Sequence, residues 1–278
     1  MTKPVGLISS KITSRLLQNQ EKIIVKTPFG ECDVVFGHLG NNEVFGINRY
    51  GDDQTIPTHR INFKANLWAF KVLGVERVIS QNAIGSVNPA LNPGDIVIPH
   101  DLIDHTKQRV LSLFDESDCW VRVDMTEPFC PEMRKTLIEE GNKLTNKVVP
   151  YGVFVCVEGP RFETAAEIRL YQREGGDIVG TPMIPEAVLA REAELCFSSI
   201  SPIINYGAGI SSKVVHSGPD GMIFKYYDSG LHDLVEDVII NTIKNLPDSR
   251  SCSCGYSLQS GLHGNPPGWL KIKSQGGK

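Results

Sequence analysis

Five apolar residues in a row, Val153-Phe154-Val155-Cys156-Val157, stand between Gly152 and the Glu158-Gly159-Pro160 turn. Successive side chains of a strand point to opposite faces, so so short and uniform a run predicts a strand buried on both sides. Strands of that kind belong to largely parallel sheets with helices on each face. Comparable runs recur at 5–9, 23–25, 34–36, 77–80, 95–98, 177–179 and 202–205. Between them lie segments that predict helices over 61–73, 131–143, 164–174 and 185–196. Pro185 marks a helix start, because proline lacks only an NH that would have no partner there. The clearest helical period is Leu231, Leu234, Val235, Val238, Ile239 and Ile243, one buried stripe on a surface helix. With no internal repeat and no linker, the pattern predicts an α/β single domain over residues 1–247: a twisted mixed, largely parallel central sheet flanked by helices. From Asp248 the composition turns to Ser, Gly, Pro and Lys, which predicts a flexible C-terminal tail over 248–278.

A net charge of -4 with scattered basic residues argues against a partner built on phosphate backbones or an anionic membrane surface. No apolar run approaches the roughly 20 residues a bilayer span needs, and Met1-Thr2-Lys3-Pro4 leads directly into a strand, so the expected address is cytoplasmic. The seven cysteines are widely spaced and lack CxxC pairs, which reads as buried or inert thiols, with Cys252-Ser253-Cys254 as the exception. His100, Asp101, Asp104 and His105 have ligand chemistry, but a solvated loop explains them, and no metal is expected.

The chemistry concentrates where the 153–157 strand ends. Glu158-Gly159-Pro160-Arg161-Phe162-Glu163-Thr164 places a cation, an aromatic ring and a carboxylate on a Gly-Pro turn ahead of a helix. In open α/β sheets, ligands bind in the crevice outside such strand ends. A plain strand-to-helix connection with Glu163 as a helix-start charge fits the spacing as well.

EGPRFET, PEAVLA, INFKANLWAFK (61–71), NAIGS (82–86), PGDIVIP (93–99) and EPFCPEMR (127–134) together resemble the trimeric and hexameric purine nucleoside phosphorylases, a group that includes the methylthioadenosine phosphorylases. The likeness runs from about Val5 to Leu258. It implies a pentosyltransferase that cleaves a purine nucleoside with inorganic phosphate as co-substrate and no cofactor, as a homotrimer or homohexamer. In that chemistry the glycosidic bond breaks ahead of attack, so the site needs an anion pocket below the sugar and donors at the purine N7 and O6 edge. The resemblance puts Phe162 on the base face and Glu163 at N1-H of a 6-oxopurine. Asn205 falls where oxopurine-selective members carry asparagine, and Gly207 stands where methylthioadenosine-selective members carry a second aspartate. An amide can donate to O6 or N7, whereas a 6-amino group wants an acceptor. The reading is therefore inosine, guanosine or 5'-methylthioinosine. Ala83, Thr181, Met183, Tyr206 and His216 complete the substrate-binding set that the resemblance implies.

The phosphate side departs from the family pattern. Its glycine-rich GGSG or GGTG turn is Gly6-Leu7-Ile8-Ser9-Ser10-Lys11 here, Arg-His is Arg49-Tyr50, a hydroxyl residue is Asn82, and Met-Ser/Thr is Thr181-Pro182. Ser10, Lys11, Arg49 and Asn82 are the phosphate-binding candidates. Methylthioadenosine phosphorolysis, a phosphate-independent nucleosidase and a non-catalytic nucleoside-binding homologue are the alternatives. His59 matches a family segment near a subunit contact, or is a helix-start residue. Cys252-Ser253-Cys254 resembles the CSC tail of archaeal methylthioadenosine phosphorylases, which implies a redox pair there and a Cys130–Cys196 disulfide.

Overall fold

The computed structural model describes residues 4–211, 221–259 and 261–270. Strands β1 (Val5–Ser9), β2 (Gln18–Thr27), β3 (Gly30–Leu39) and β4 (Asn42–Asn48) are followed by helix α1 (Phe63–Val72). Strands β5 (Arg77–Gln81), β6 (Ile84–Ser86), β7 (Ile96–Val97), β8 (Asp101–His105) and β9 (Cys119–Val121) come next. Then come α2 (Pro131–Leu144), β10 (Val148–Val149), β11 (Val153–Val157), α3 (Ala165–Arg173), β12 (Ile178–Gly180), α4 (Met183–Glu192) and β13 (Cys196–Tyr206). Helices α5 (Met222–Asp228) and α6 (Leu231–Asn245) and strand β14 (Leu262–Gly264) follow.

The main sheet runs β2-β3-β4-β1-β5-β13-β6-β12-β11-β8, with β7 joined to β13 and β10 to β7. Its centre is parallel: β1 pairs β4 and β5, and β13 pairs β5. Every residue of β1 and β5 is buried, including Arg77, Ser80 and Gln81 of β5, as expected of central strands covered on both faces. The β2-β3-β4 meander is antiparallel. Its edge strand β2 carries Gln18, Gln20, Glu21 and Lys22, the polar dress that keeps an unpaired edge from recruiting another strand.

Two features position the site. The C-terminal ends of β1 and β5 point at Asn82 and Ala83, the two residues between β5 and β6. Strands β11 and β12 run together in parallel, and β12 is antiparallel to β6, so their C-terminal ends reach the same place from the other side. Strand β13 spans both halves, pairing first with β5 and then with β6. A crevice at this convergence is what the change of direction between β5 and β6 creates.

Expectation and structure differ at several points. The 100–105 stretch is strand β8 rather than a solvated loop, with His105 Nε2 2.6 Å from Glu174 and His100 against Gly152. Helix α4 ends at Glu192, and Cys196 opens β13 instead of closing a helix. The described part of the C-terminal segment is packed down. Strand β14 pairs β9, Cys254 and Leu258 are buried, and Trp269 stacks on Phe114 and meets Trp68 edge-on. Tryptophan and leucine spaced among Gly and Pro carry enough apolar area to hold such a segment even without a regular period.

Candidate active site

The turn after β11 is organised by its own side chains. Gly159 adopts φ +67°, a left-handed conformation costly for other residues, with its α-carbon close to the Thr181 side chain. Thr164 caps α3: its hydroxyl accepts from Glu167 N at 3.2 Å, and the Glu167 carboxylate accepts from Thr164 N at 2.7 Å. Arg161 grips the same carboxylate through two nitrogens at 2.8 and 2.6 Å. That concentration of donors holds the Glu167 carboxyl down at about 2. Glu158, meanwhile, accepts from Gln108 N at 3.2 Å and pairs with Arg109. With Arg161, Thr164, Glu167 and Glu158 committed to the turn, Phe162 and Glu163 are the side chains it displays. Phe162 is 45% exposed, and burial raises the Glu163 carboxyl above its ordinary value.

The end of β13 faces this turn. Asn205 Nδ2 donates to Tyr206 O at 2.8 Å, and its amide packs on Gly85 of β6. Tyr206 donates its hydroxyl to Asn92 Oδ1 at 2.8 Å. Gly209 lies against Ala165, so the loop after Asn205 touches the first turn of α3. At Gly207 a Cβ would stand 2.6 Å from Ile168 Cδ1 and 3.0 Å from Ser86 O, so a side chain there displaces the end of Ile168 and crowds the Ser86 carbonyl. Ala83 is exposed at the β5–β6 junction, and the Thr181 hydroxyl lies 3.3 Å from that of Thr58. Met183 is fully buried in the core beneath these groups. His216 lies outside the described residues.

Beneath the crevice runs a buried polar network. Arg49, 3% exposed, gives Nε to Glu186 Oε1 at 2.6 Å, Nη2 to Ser80 Oγ at 2.7 Å and Nη1 to Gln81 O at 3.2 Å. Glu186 comes from PEAVLA, so that motif supplies the countercharge for Arg49. Ser9 Oγ donates to Gln81 Oε1 at 3.0 Å, and Gln81 Nε2 to the Tyr226 hydroxyl at 2.8 Å. Asn82 Nδ2 lies 3.0 Å from Ser80 Oγ and 2.9 Å from Ser199 Oγ, while its Oδ1 is buried without a partner. Ser10 meets the hydroxyl of Tyr227. Lys11 is exposed, its NH pointing at Ser9 Oγ, and among the described residues its ammonium has no carboxylate partner.

Sequence reasoning missed Arg109. Its guanidinium, 3% exposed, donates to the carbonyls of Val157, Glu158, Thr181 and Ile184, tying the ends of β11 and β12 to the start of α4. The only hint was a lone arginine in a loop, which carries no periodic signal. His59 lines a cleft of about 230 Å³ with Phe63, Gln108, Glu158 and Pro185, beside the crevice rather than within it.

A family profile described as the Phosphorylase superfamily matches residues 9–221. A 6-oxopurine nucleoside phosphorylase of Pyrococcus furiosus is 42% identical over 249 residues, covering 87% of this chain and 92% of the relative. A probable S-methyl-5'-thioinosine phosphorylase of Thermodesulfovibrio yellowstonii is 37% identical, covering 92% and 96%. Among solved structures, a methylthioadenosine phosphorylase from an antarctic soil metagenomic library superposes with a TM-score of 0.84 at 28% identity, covering 94% of this chain and 93% of that one.

Proposed function

The chain belongs to the phosphorylase superfamily, and on that footing we propose that it is a purine nucleoside phosphorylase, a pentosyltransferase that cleaves a 6-oxopurine nucleoside with phosphate to free base and sugar 1-phosphate. One observation carries the choice of base. Position 207 is a glycine crowded by Ile168 and the Ser86 carbonyl and carries no carboxylate, and position 205 offers an amide, so the purine edge meets a donor and not a pair of acids. Glu163 supplies the acceptor for N1-H of an oxopurine, Asn205 the donor for O6 or N7, and Phe162 the stacking face. As the glycosidic bond lengthens, negative charge gathers on the departing base, and the Asn205 amide stabilises it most when that charge is greatest. Thr181, Ala83 and Tyr206, with His216, form the remaining substrate-binding set, whereas Met183 is fully buried and has no surface to offer a ligand.

On the phosphate side, Lys11 and Ser10 hold the anion, with the buried Asn82 beneath them and Arg49 already matched in charge by Glu186. The named curated relatives favour this assignment, one as a 6-oxopurine enzyme and one as a methylthioinosine enzyme. Methylthioadenosine phosphorolysis is the second reading, supported by the names of the structural relatives and opposed by Gly207. A cytoplasmic address and a homotrimeric or homohexameric state belong to the same proposal. Exposed Ile56, Val110, Leu111 and Trp120 supply apolar surface for subunit contacts, and no helix of the described residues is long and apolar enough to cross a membrane.

The test is release of free base from inosine, 5'-methylthioinosine and 5'-methylthioadenosine, with and without phosphate. Phosphate-dependent release from the first two is expected. Phosphate-independent release would make the protein a nucleosidase, and preference for methylthioadenosine would reverse the reading of Gly207.

A further inference from the structure

Four cysteines from three distant parts of the chain meet where β13 begins. Cys130 is the N-cap of α2, Cys196 is the first residue of β13, and Cys252 and Cys254 flank a serine in the C-terminal segment. Their four sulfurs all lie within 4.8 Å of one another. All seven cysteines are free thiols, and the Cys130–Cys196 and Cys252–Cys254 bonds implied by resemblance are not formed. A close contact, 3.3 Å between the sulfurs of Cys196 and Cys252, joins neither of those expected pairs. The arrangement is one cluster of four, not two couples.

We propose that Cys130, Cys196, Cys252 and Cys254 form a tetrathiolate site for a divalent zinc ion. Zinc takes four thiolates tetrahedrally at about 2.3 Å, which sets the sulfurs about 3.8 Å apart. The observed spacing therefore needs adjustments of less than about 1 Å to close around the metal. Binding converts four thiols into thiolates, the four protons passing to solvent, and leaves a centre of net charge minus two. Two guanidiniums stand where that charge arises. Arg191 Nη1 donates to Cys254 Sγ at 3.5 Å, and Arg250 Nη1 points at Cys196 Sγ from 3.9 Å. Arg191 is 9% exposed, and Arg250 is shared with Glu76 Oε2 at 3.3 Å. Cationic donors directed at sulfur stabilise thiolates and give little to neutral thiols or to a disulfide. Three of the four cysteines are buried and the fourth is partly so, which suits a structural site closed to water. The metal staples the C-terminal segment to the start of β13 and the head of α2, beside the short helical turn that carries Cys254.

The experiment measures metal and thiols in the intact protein purified without chelator or added reductant. About one zinc per chain is expected, released when an organomercurial titrates the thiols. Exchange for cobalt(II) should give the intense visible and near-ultraviolet bands of a tetrahedral thiolate complex. The Cys252→Ser/Cys254→Ser double variant should lose the zinc. Four missing thiols without zinc would mean two disulfides and overturn the proposal. So would seven free thiols that take up neither zinc nor cobalt, or zinc retained in the double variant. Should that variant fail to fold, the cobalt spectrum of the unmutated protein decides the matter alone.

Discussion

The proposed choice of base turns on a single side chain. Asn205 is held by its bond to Tyr206 O and its packing on Gly85, so its outward face presents one fixed pattern to the purine edge. Gly207 cannot be exchanged for the aspartate of the methylthioadenosine pattern without displacing Ile168 or the backbone at Ser86. Asn205→Asp, by contrast, keeps size and shape, replaces donor by acceptor, and gives up the bond to Tyr206 O. A mismatched buried polar contact costs about 1–3 kcal/mol, and each 1.4 kcal/mol is about tenfold. The ratio of kcat/KM for inosine over adenosine should accordingly fall by about tenfold or more, mostly through loss of inosine turnover. An unchanged ratio removes Asn205 from base recognition.

Among the elements, α4 bears the most burden. It is buried almost throughout, yet it carries Glu186 and Glu192. Glu186 is matched by Arg49 with both side chains nearly inaccessible. Truncating one partner of such a pair strands a buried charge at a cost of about 3–5 kcal/mol. Arg49→Ala should therefore unfold at markedly lower urea, and Arg49→Met with Glu186→Leu should recover a large part of the loss. If the single variant is as stable as the parent, the pair is not holding α4 to the sheet. Glu192 has no cation in hydrogen-bond range, although it accepts from Leu113 N at 2.6 Å and Ser112 Oγ. Burial, more than those bonds offset, pushes its carboxyl up to about 7 from an ordinary 4.5. The native state then holds a proton that the unfolded chain has released. Stability from this group is present in full below about pH 4.5 and is lost as pH rises through about 7, by about 3 kcal/mol at most. Carboxyls held low, such as Glu167, act only at more acid pH. Glu192→Gln should flatten the stability curve between about pH 5 and pH 8, and an unchanged slope in urea titrations across that window would refute the assignment.

For the whole molecule, legibility followed burial. Strands β1 and β11 were readable to the residue because both of their faces are covered, and the stripe of α6 was readable because one face is. Strands β4, β6, β8 and β9 were not, since Gly46, Gly85 and the mixed Asp101–His105 run are set in place by neighbouring strands and not by their own pattern. Phe162, Glu163 and Asn205 were findable from motifs, while the Glu186 countercharge, the Arg109 clasp and the meeting of four cysteines depend on contacts between distant segments. That same distance effect decides the phosphate question. With the Arg49 fork occupied by Glu186, Ser80 and Gln81, the exposed cation that follows the end of β1 among the described residues is Lys11. Any ligand of the native state raises the unfolding temperature by mass action, by about 2.7 kcal/mol at a hundredfold excess over its Kd, or a shift of several degrees for a chain of this size. Phosphate should protect the unmutated protein to that extent, and Lys11→Ala should lose most of the protection while hypoxanthine still binds, because the base edge is formed by Glu163 and Asn205. Lysine's exposure makes the substitution harmless to the core, so a loss of protection reports binding and not misfolding. Equal protection of both proteins would assign the anion to the Arg49 network after all, and protection of neither would mean that phosphate has no site in the resting protein and that phosphorolysis is the wrong reaction.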